Sequence, residues 1–98
     1  MHKSQHSNAQ ELHIASLVVH VMPQSLDFVG RELLMIGSAQ VHGSHPDGKL
    51  VVTLDGPSAE AILDQVSQIR LVEGVLNVSL VYQHAESQLF LNEGVSHD

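Results

Sequence analysis

The stretch Gly74–Glu86, GVLNVSLVYQHAE, alternates: Leu76, Val78, Leu80 and Tyr82 fall on one side of an extended chain, and Asn77, Ser79, Val81 and Gln83 on the other. Successive side chains of a strand point to opposite faces, so this segment reads as a strand with one dry face. Its second face is neither charged like an ordinary solvated surface nor apolar enough for a second core wall. What that face is for is the question the remaining sequence has to answer.

Upstream of it, Ser58 is placed to cap a helix, Glu60 stands in the first turn where the helix dipole favours an anion, and Ile62, Val66 and Ile69 form an apolar stripe that ends at Glu73-Gly74. Before that helix, KLVVTLDG (49–56) reads as a strand returning from HPDGK (45–49), which supplies Pro, Asp and Gly in the order a tight turn prefers; SAQVHGSH (38–45) is the weak strand leading into it. Earlier still, Leu26, Val29, Leu33 and Ile36 recur at intervals of three and four, a helical stripe closed by Gly37. LHIASLVVHV (12–21), rich in branched residues and ended by Pro23, is the first strand.

The order is β-α-β-β-α-β, and LVVHV at Leu17 and LVVTL at Leu50 open two half-units of similar plan. A duplicated split βαβ unit of this kind is the ferredoxin-like α+β fold. Right-handed crossovers then place both helices on one face of a four-stranded antiparallel sheet ordered 4-1-3-2 and leave the other face bare.

Ninety-eight residues with 43% hydrophobic content suit one domain, read here over residues 11–86, with a disordered tail at 1–10 and a C-terminal tail at 87–98. The chain has no cysteine, which removes disulfides, thiol nucleophiles and thiolate metal sites together. No apolar run approaches the ~20 residues of a membrane helix, and the polar start MHKSQHSNAQ lacks the apolar segment of a secretory signal, so a soluble cytoplasmic protein is expected. Four Lys and Arg against eleven Asp and Glu give a net charge of -7, which repels phosphate backbones and argues against nucleic acid as a partner.

Parity assigns the faces. Leu17, Val19 and Val21 of the first strand and Leu50, Val52 and Leu54 of the third turn inward, leaving Ile14, Ser16, Val18, His20, Val51 and Thr53 outside, with Asn77, Ser79, Val81 and Gln83 from the last strand. The middle of that outer face carries no charged residue, and an exposed, mildly apolar surface of this kind marks a docking site. Antiparallel pairing brings Glu11, Asp55 and Glu86 to one edge of it as an acidic rim. A peptide with a basic segment followed by an apolar one fits such a floor and rim. Exposed ion pairs supply only about 0 to 1 kcal/mol each, whereas a sub-micromolar complex needs more than about 8 kcal/mol, so burial on the floor has to carry most of the affinity. The plainer readings of the same residues are good strand formers, a dimer face, or a surface covered by the tail segment Leu89–Leu91.

Eight histidines invite a metal reading, but His42 and His45 flank a turn, His2 and His6 share the tail, and His13 and His20 point to opposite faces, so no metal site is expected. No nucleophile elbow, phosphate-cradling glycine loop or paired-carboxylate motif organises a catalytic site, so the chain is not expected to be an enzyme and no cofactor is implied. RNA-binding members of this architecture stack bases on aromatic residues of the central strands, and the outer face as read here has none. A small-molecule regulatory module that dimerises through its sheet edges is the alternative from a different class.

ASLVVHVMP (15–23) and VEGVLNVSLVYQHAE (72–86), with the GKLVVTLDG hairpin strand between them, resemble the NapD family, the assembly chaperones of periplasmic nitrate reductase. The likeness runs from Glu11 to Glu86 and leaves both tails outside. It implies a small cytoplasmic ferredoxin-like protein, carrying no cofactor of its own, that binds the twin-arginine signal peptide of the nitrate reductase catalytic subunit and delays its export until the molybdenum cofactor is inserted. On this chain the implied peptide would lie against Ile14, Ser16, Val18, Val51, Thr53, Ser79 and Val81, with its arginines toward Glu11, Asp55 or Glu86. Strand addition at the short second strand is the competing geometry.

Overall fold

β1, Glu11–Val21, runs through the sheet between β3, Lys49–Gly56, and β4, Val75–Ser87, antiparallel to both; β2, Gln40–His45, closes the far edge beside β3. The order β2-β3-β1-β4 is the expected ferredoxin-like arrangement read from its other edge. The computed structural model describes residues 11–87, the last two by backbone alone. The tail readings, His2 and His6 and the Leu89–Leu91 cover, lie outside the described residues.

Between β1 and β2 the chain makes a 3-10 turn, Pro23–Ser25, and then α1, Leu26–Leu33. Pro23 suits the first position of that turn, because its fixed φ is already helical and its missing N–H is one that no helix start can satisfy. α1 stops earlier than the apolar stripe suggests. Ile36 is still buried, but in a run of tight turns in which its N–H donates to Leu33 O and its carbonyl accepts from Ala39 N–H. α2, Ala59–Arg70, begins as the sequence indicates: Ser58 Oγ accepts from Ala61 N–H at 3.1 Å.

Both helices cover one side of the sheet. Ala15, Leu17, Val19 and Val21 from β1 and Leu50, Val52 and Leu54 from β3 are buried there against Val29 and Leu33 of α1 and Ile62 and Ile69 of α2. Alternation along β1 is strict, every second residue from Ala15 to Val21 being buried. Two glycines are required by the backbone. Gly48 has φ 106 in the β2–β3 turn, where a Cβ would run into Val21 O, and Gly74 has φ 100, where a Cβ would lie 2.7 Å from Ser25 Cβ.

β4 departs from its expected alternation. Leu80 pairs with Leu17 but Tyr82 pairs with Ser16, so a register shift leaves Val81 without an opposite; a second shift between His20 and Val21 does the same to Leu76. Each extra residue is a bulge that reverses the parity of the residues beyond it. Val78, opposite Val19, is buried as expected, and Leu80 keeps to the helix side although 52% exposed on this edge strand. Beyond Val81 the faces exchange: Gln83 comes opposite Ala15 on the helix side, while Tyr82 and His84 come opposite Ser16 and Ile14 on the open side. Tyr82 is therefore no part of the dry face, and Gln83 no part of the outer one. Among the described residues no helix is long and apolar enough to cross a membrane.

Candidate functional site: the open face of the sheet

Directly opposed residues of antiparallel strands project to the same side, so the register maps the open face row by row. Ser79, Val18, Val51 and Gly43 form one row from β4 to β2. The next holds Tyr82, Ser16, Thr53 and Gln40, and the one beyond it His84, Ile14 and Asp55. Ile14, Ser16, Val18, Val51, Thr53 and Ser79 thus share one surface, as the sequence pattern indicates. Val81 sits in the bulge, 65% exposed and outside the row scheme.

The middle of the face is uncharged and partly apolar, with Val51 45% exposed on the central strand β3. Charge is confined to its ends. One end carries Asp55. The other carries Lys49, opposite both His20 and His45, with Asp47 Oδ2 3.4 Å from His45 Nδ1. Near that end a hollow of about 400 Å³ is bounded by Val18, Val51 and the hairpin from Gly43 to Lys49, where Gly43 contributes no side chain. A second hollow, about 360 Å³, lies between α1 and β2, on the other side of the sheet.

The three rim carboxylates are not equivalent. Glu11 shares the end of the sheet with Asp55, but its Oε1 lies 3.1 Å from His13 Nε2, and both belong to the parity of buried Ala15; Glu11 therefore stands on the helix side. Glu86 holds the backbone position opposite Leu12, and its side chain is outside the described residues. Asp55 is exposed on the open side, in the row of Ile14.

Asp55 is held from behind by a polar network. β2 begins only at Gln40, opposite Thr53, so the backbone of Asp55 has no strand partner on that edge. Ser38 replaces the missing strand: its Oγ accepts from Asp55 N–H at 2.7 Å and lies 2.7 Å from Asp55 O. Gln65, the one buried polar residue among those described, bridges the two, with Oε1 accepting from Ser38 N–H at 2.9 Å and Nε2 donating to Asp55 O at 2.9 Å. Gly37, with φ 44, leaves room for that amide, since a Cβ there would come 2.5 Å from Gln65 Oε1. The backbone of Asp55, at the end of the sheet, is satisfied and held in place by this network.

Four residues of the site escape a plain reading of the sequence. Tyr82 and His84 reach the face through the bulge at Val81, and their rings stack with centroids 6.0 Å apart and planes 18° apart. His42, left without an opposite by a register shift in β2, shares a 2.6 Å hydrogen bond with Thr53 Oγ1. Gln65 did leave a signal: it is a polar residue on the buried stripe between Ile62 and Ile69. The open face therefore holds an aromatic residue after all, on an edge strand rather than on the central strands where base-stacking versions of this fold carry theirs.

A sheet of this order, with helices on one side and an uncharged floor on the other, defines a ferredoxin-like protein with one open sheet face. Comparison with known proteins makes the class particular. Residues 12–87 match the model of the NapD protein family, and the chain belongs to that family. Chaperone NapD of Escherichia coli strain K12 is 33% identical over 84 residues, covering 85% of this chain and 93% of the relative. Chaperone NapD of Haemophilus influenzae is 29% identical over 82 residues, covering 83% and 88%. The solution structure of the E. coli Tat proofreading chaperone NapD matches with a TM-score of 0.70 at 32% identity, over 79% of this chain and 82% of the other. These relatives are chaperones, a non-enzymatic role.

Proposed function

We propose that this protein is a cytoplasmic chaperone that binds the twin-arginine signal peptide of the periplasmic nitrate reductase catalytic subunit and delays its export until the molybdenum cofactor has been inserted. The observation that carries the reading is the open face: an uncharged, partly apolar floor ending at Asp55, whose backbone is held by Ser38 and Gln65, on a chain whose relatives are named chaperones, one of them a Tat proofreading chaperone.

A twin-arginine leader has a basic pair followed by an apolar stretch. In the proposed complex the apolar stretch lies along β1 over Ile14, Ser16, Val18, Val51, Thr53 and Ser79, with Val81 at its β4 margin. The arginines lie toward Asp55, with Glu86 as the second candidate carboxylate; Glu11, on the helix side, is left out. From Leu12 to His20 the face measures about 26 Å at ~3.3 Å per residue, the length of about 17 residues of helix. A peptide folded as a helix in this direction also sets its positive N-terminal dipole at the Asp55 end and its negative C-terminus near Lys49 and His20.

Exposed ion pairs contribute about 0 to 1 kcal/mol each, so the rim sets direction while burial on the floor supplies most of the affinity. Ordering the leader opposes binding, which keeps the complex releasable, as a checkpoint requires. Titration calorimetry of the protein with the signal peptide tests the reading: a 1:1 complex weakened by Val18→Asp is expected. No heat with the peptide, combined with a stable dimer and a thermal shift on adding an amino acid, would favour the small-molecule regulatory module instead.

A further inference from the structure

The bulge at Val81 does more than reverse a pattern. It moves a tyrosine and a histidine, which strict alternation would turn to the helix side with Leu80, onto the face beside Ile14 and Ser16. Tyr82 is 54% exposed there, and the residues next to it in its row, Ser16 and Thr53, are small, so the ring is not packed into a core. Its ring and that of His84 lie nearly parallel, 6.0 Å between centroids. Across Ile14 from His84 stands Asp55, whose backbone is locked by Ser38 and Gln65 and whose carboxylate makes no ion pair among the described residues. Two strand spacings separate the backbones of His84 and Asp55, about 10 Å, and Ile14 fills the floor between them.

Stacked planar rings on one side, an unpaired carboxylate on the other and an aliphatic floor between are complementary to one side chain in particular. A guanidinium is planar, weakly hydrated, stacks on aromatic faces and donates through its edge to a carboxylate, all with its methylenes on an apolar surface. A lysine ammonium is a compact, strongly hydrated point charge that gains from the carboxylate but little from the rings. We infer that Tyr82 and His84 form a guanidinium platform that, with Asp55, makes the open face select arginine over lysine in the bound peptide. The inference rests on the peptide-binding reading above and adds to it the residues that set its specificity.

Fluorescence anisotropy with the labelled nitrate reductase signal peptide, in its Arg-Arg form and in a Lys-Lys form, tests it at one fixed salt concentration. The wild type should prefer the Arg-Arg peptide by about tenfold, the scale of one well-placed cation–π contact with partial desolvation. Tyr82→Leu, a β-compatible change at an exposed position, should bring that ratio close to one by weakening only the Arg-Arg peptide, whereas Tyr82→Phe keeps the ring and should keep the ratio. Asp55→Asn should weaken both peptides together. An unchanged ratio in Tyr82→Leu, with both peptides still bound and the variant folded by circular dichroism, would overturn the platform and leave the chaperone reading standing. Failure of the wild type to bind either peptide would overturn the chaperone reading, and the platform with it.

Discussion

Replacing Gln65 by Leu tests whether the network behind the rim is structural in the way its geometry requires. The substitution keeps a good helix former of similar size on the buried stripe of α2 and removes only the amide. Two direct bonds go with it, Ser38 N–H to Oε1 and Nε2 to Asp55 O, both 2.9 Å, together with the 3.1 Å contact of Ser38 Oγ to Oε1, a hydroxyl that keeps Asp55 O as its other acceptor. Each is worth about 0.5–1.5 kcal/mol net, and leaving Ser38 N–H without a partner in a part-buried place adds a desolvation penalty, so the total is roughly 2–3 kcal/mol. For a domain of this size that lowers Tm by roughly 10–20 °C. Urea and thermal unfolding followed by circular dichroism would measure it. Gly37 supplies an internal check, because its φ of 44 and its contact with Gln65 Oε1 make Gly37→Ala costly for two separable reasons. In a Gln65→Ala background the collision disappears and only the backbone strain stays, so the double variant should be more stable than the sum of the singles predicts, by roughly 0.5–3 kcal/mol. A Gln65→Leu protein within about 0.5 kcal/mol of wild type would rule out a structural role for the amide, since surface changes of no structural consequence fall in that range.

Three further outcomes concern the face itself. Val18→Asp or Val51→Asp should weaken the signal peptide at least about tenfold at every salt concentration, because a carboxylate set on the floor must be desolvated on binding; isothermal titration at low and high salt reads this. Asp55→Lys should weaken binding most at low salt and flatten its ionic-strength dependence, since the lost contribution is a screened, exposed charge. Glu11→Gln should leave affinity within about twofold of wild type, because Glu11 stands beside His13 on the helix side of the sheet; an effect equal to that of the Asp55 change would contradict the face assignment.

How legible each element is in the chain depends on how it carries its information. β1 and β3 take one residue per step from end to end, so the period-two pattern of Leu17, Val19, Val21 and of Leu50, Val52, Leu54 translates directly into buried and open sides. Pro23, Gly48 and Gly74 punctuate the chain where the backbone needs a fixed or positive φ, and the strand order comes from the duplicated half-units. β4 resists the same treatment because parity presupposes an unbroken ladder. Neither Leu76 nor Val81 is a glycine that would announce a bulge, and both are residues that regular strands also favour, so the reversal at Tyr82 leaves no mark. The rim is legible as an end of the sheet, but assigning Glu11 to a side requires the parity of His13 and Ala15 to be carried one residue further than the apolar pattern extends. Asp55 is legible as an acid at an edge. That Ser38 and Gln65 hold it is not, since a contact across 27 residues between a loop serine and a helix glutamine has no local signature.

Mapping the amide shifts of labelled protein on adding the nitrate reductase signal peptide tests whether a twin-arginine leader settles on the bare side of the sheet. Saturable shifts are expected, concentrated at Ile14, Ser16, Val18, Val51, Thr53 and Ser79, strongest toward Asp55, Tyr82 and His84 when the arginines are present, with α1 and α2 nearly unmoved. Shifts confined to the helices, to the hollow between α1 and β2, or to the outer edge of β2 as in strand addition would contradict it.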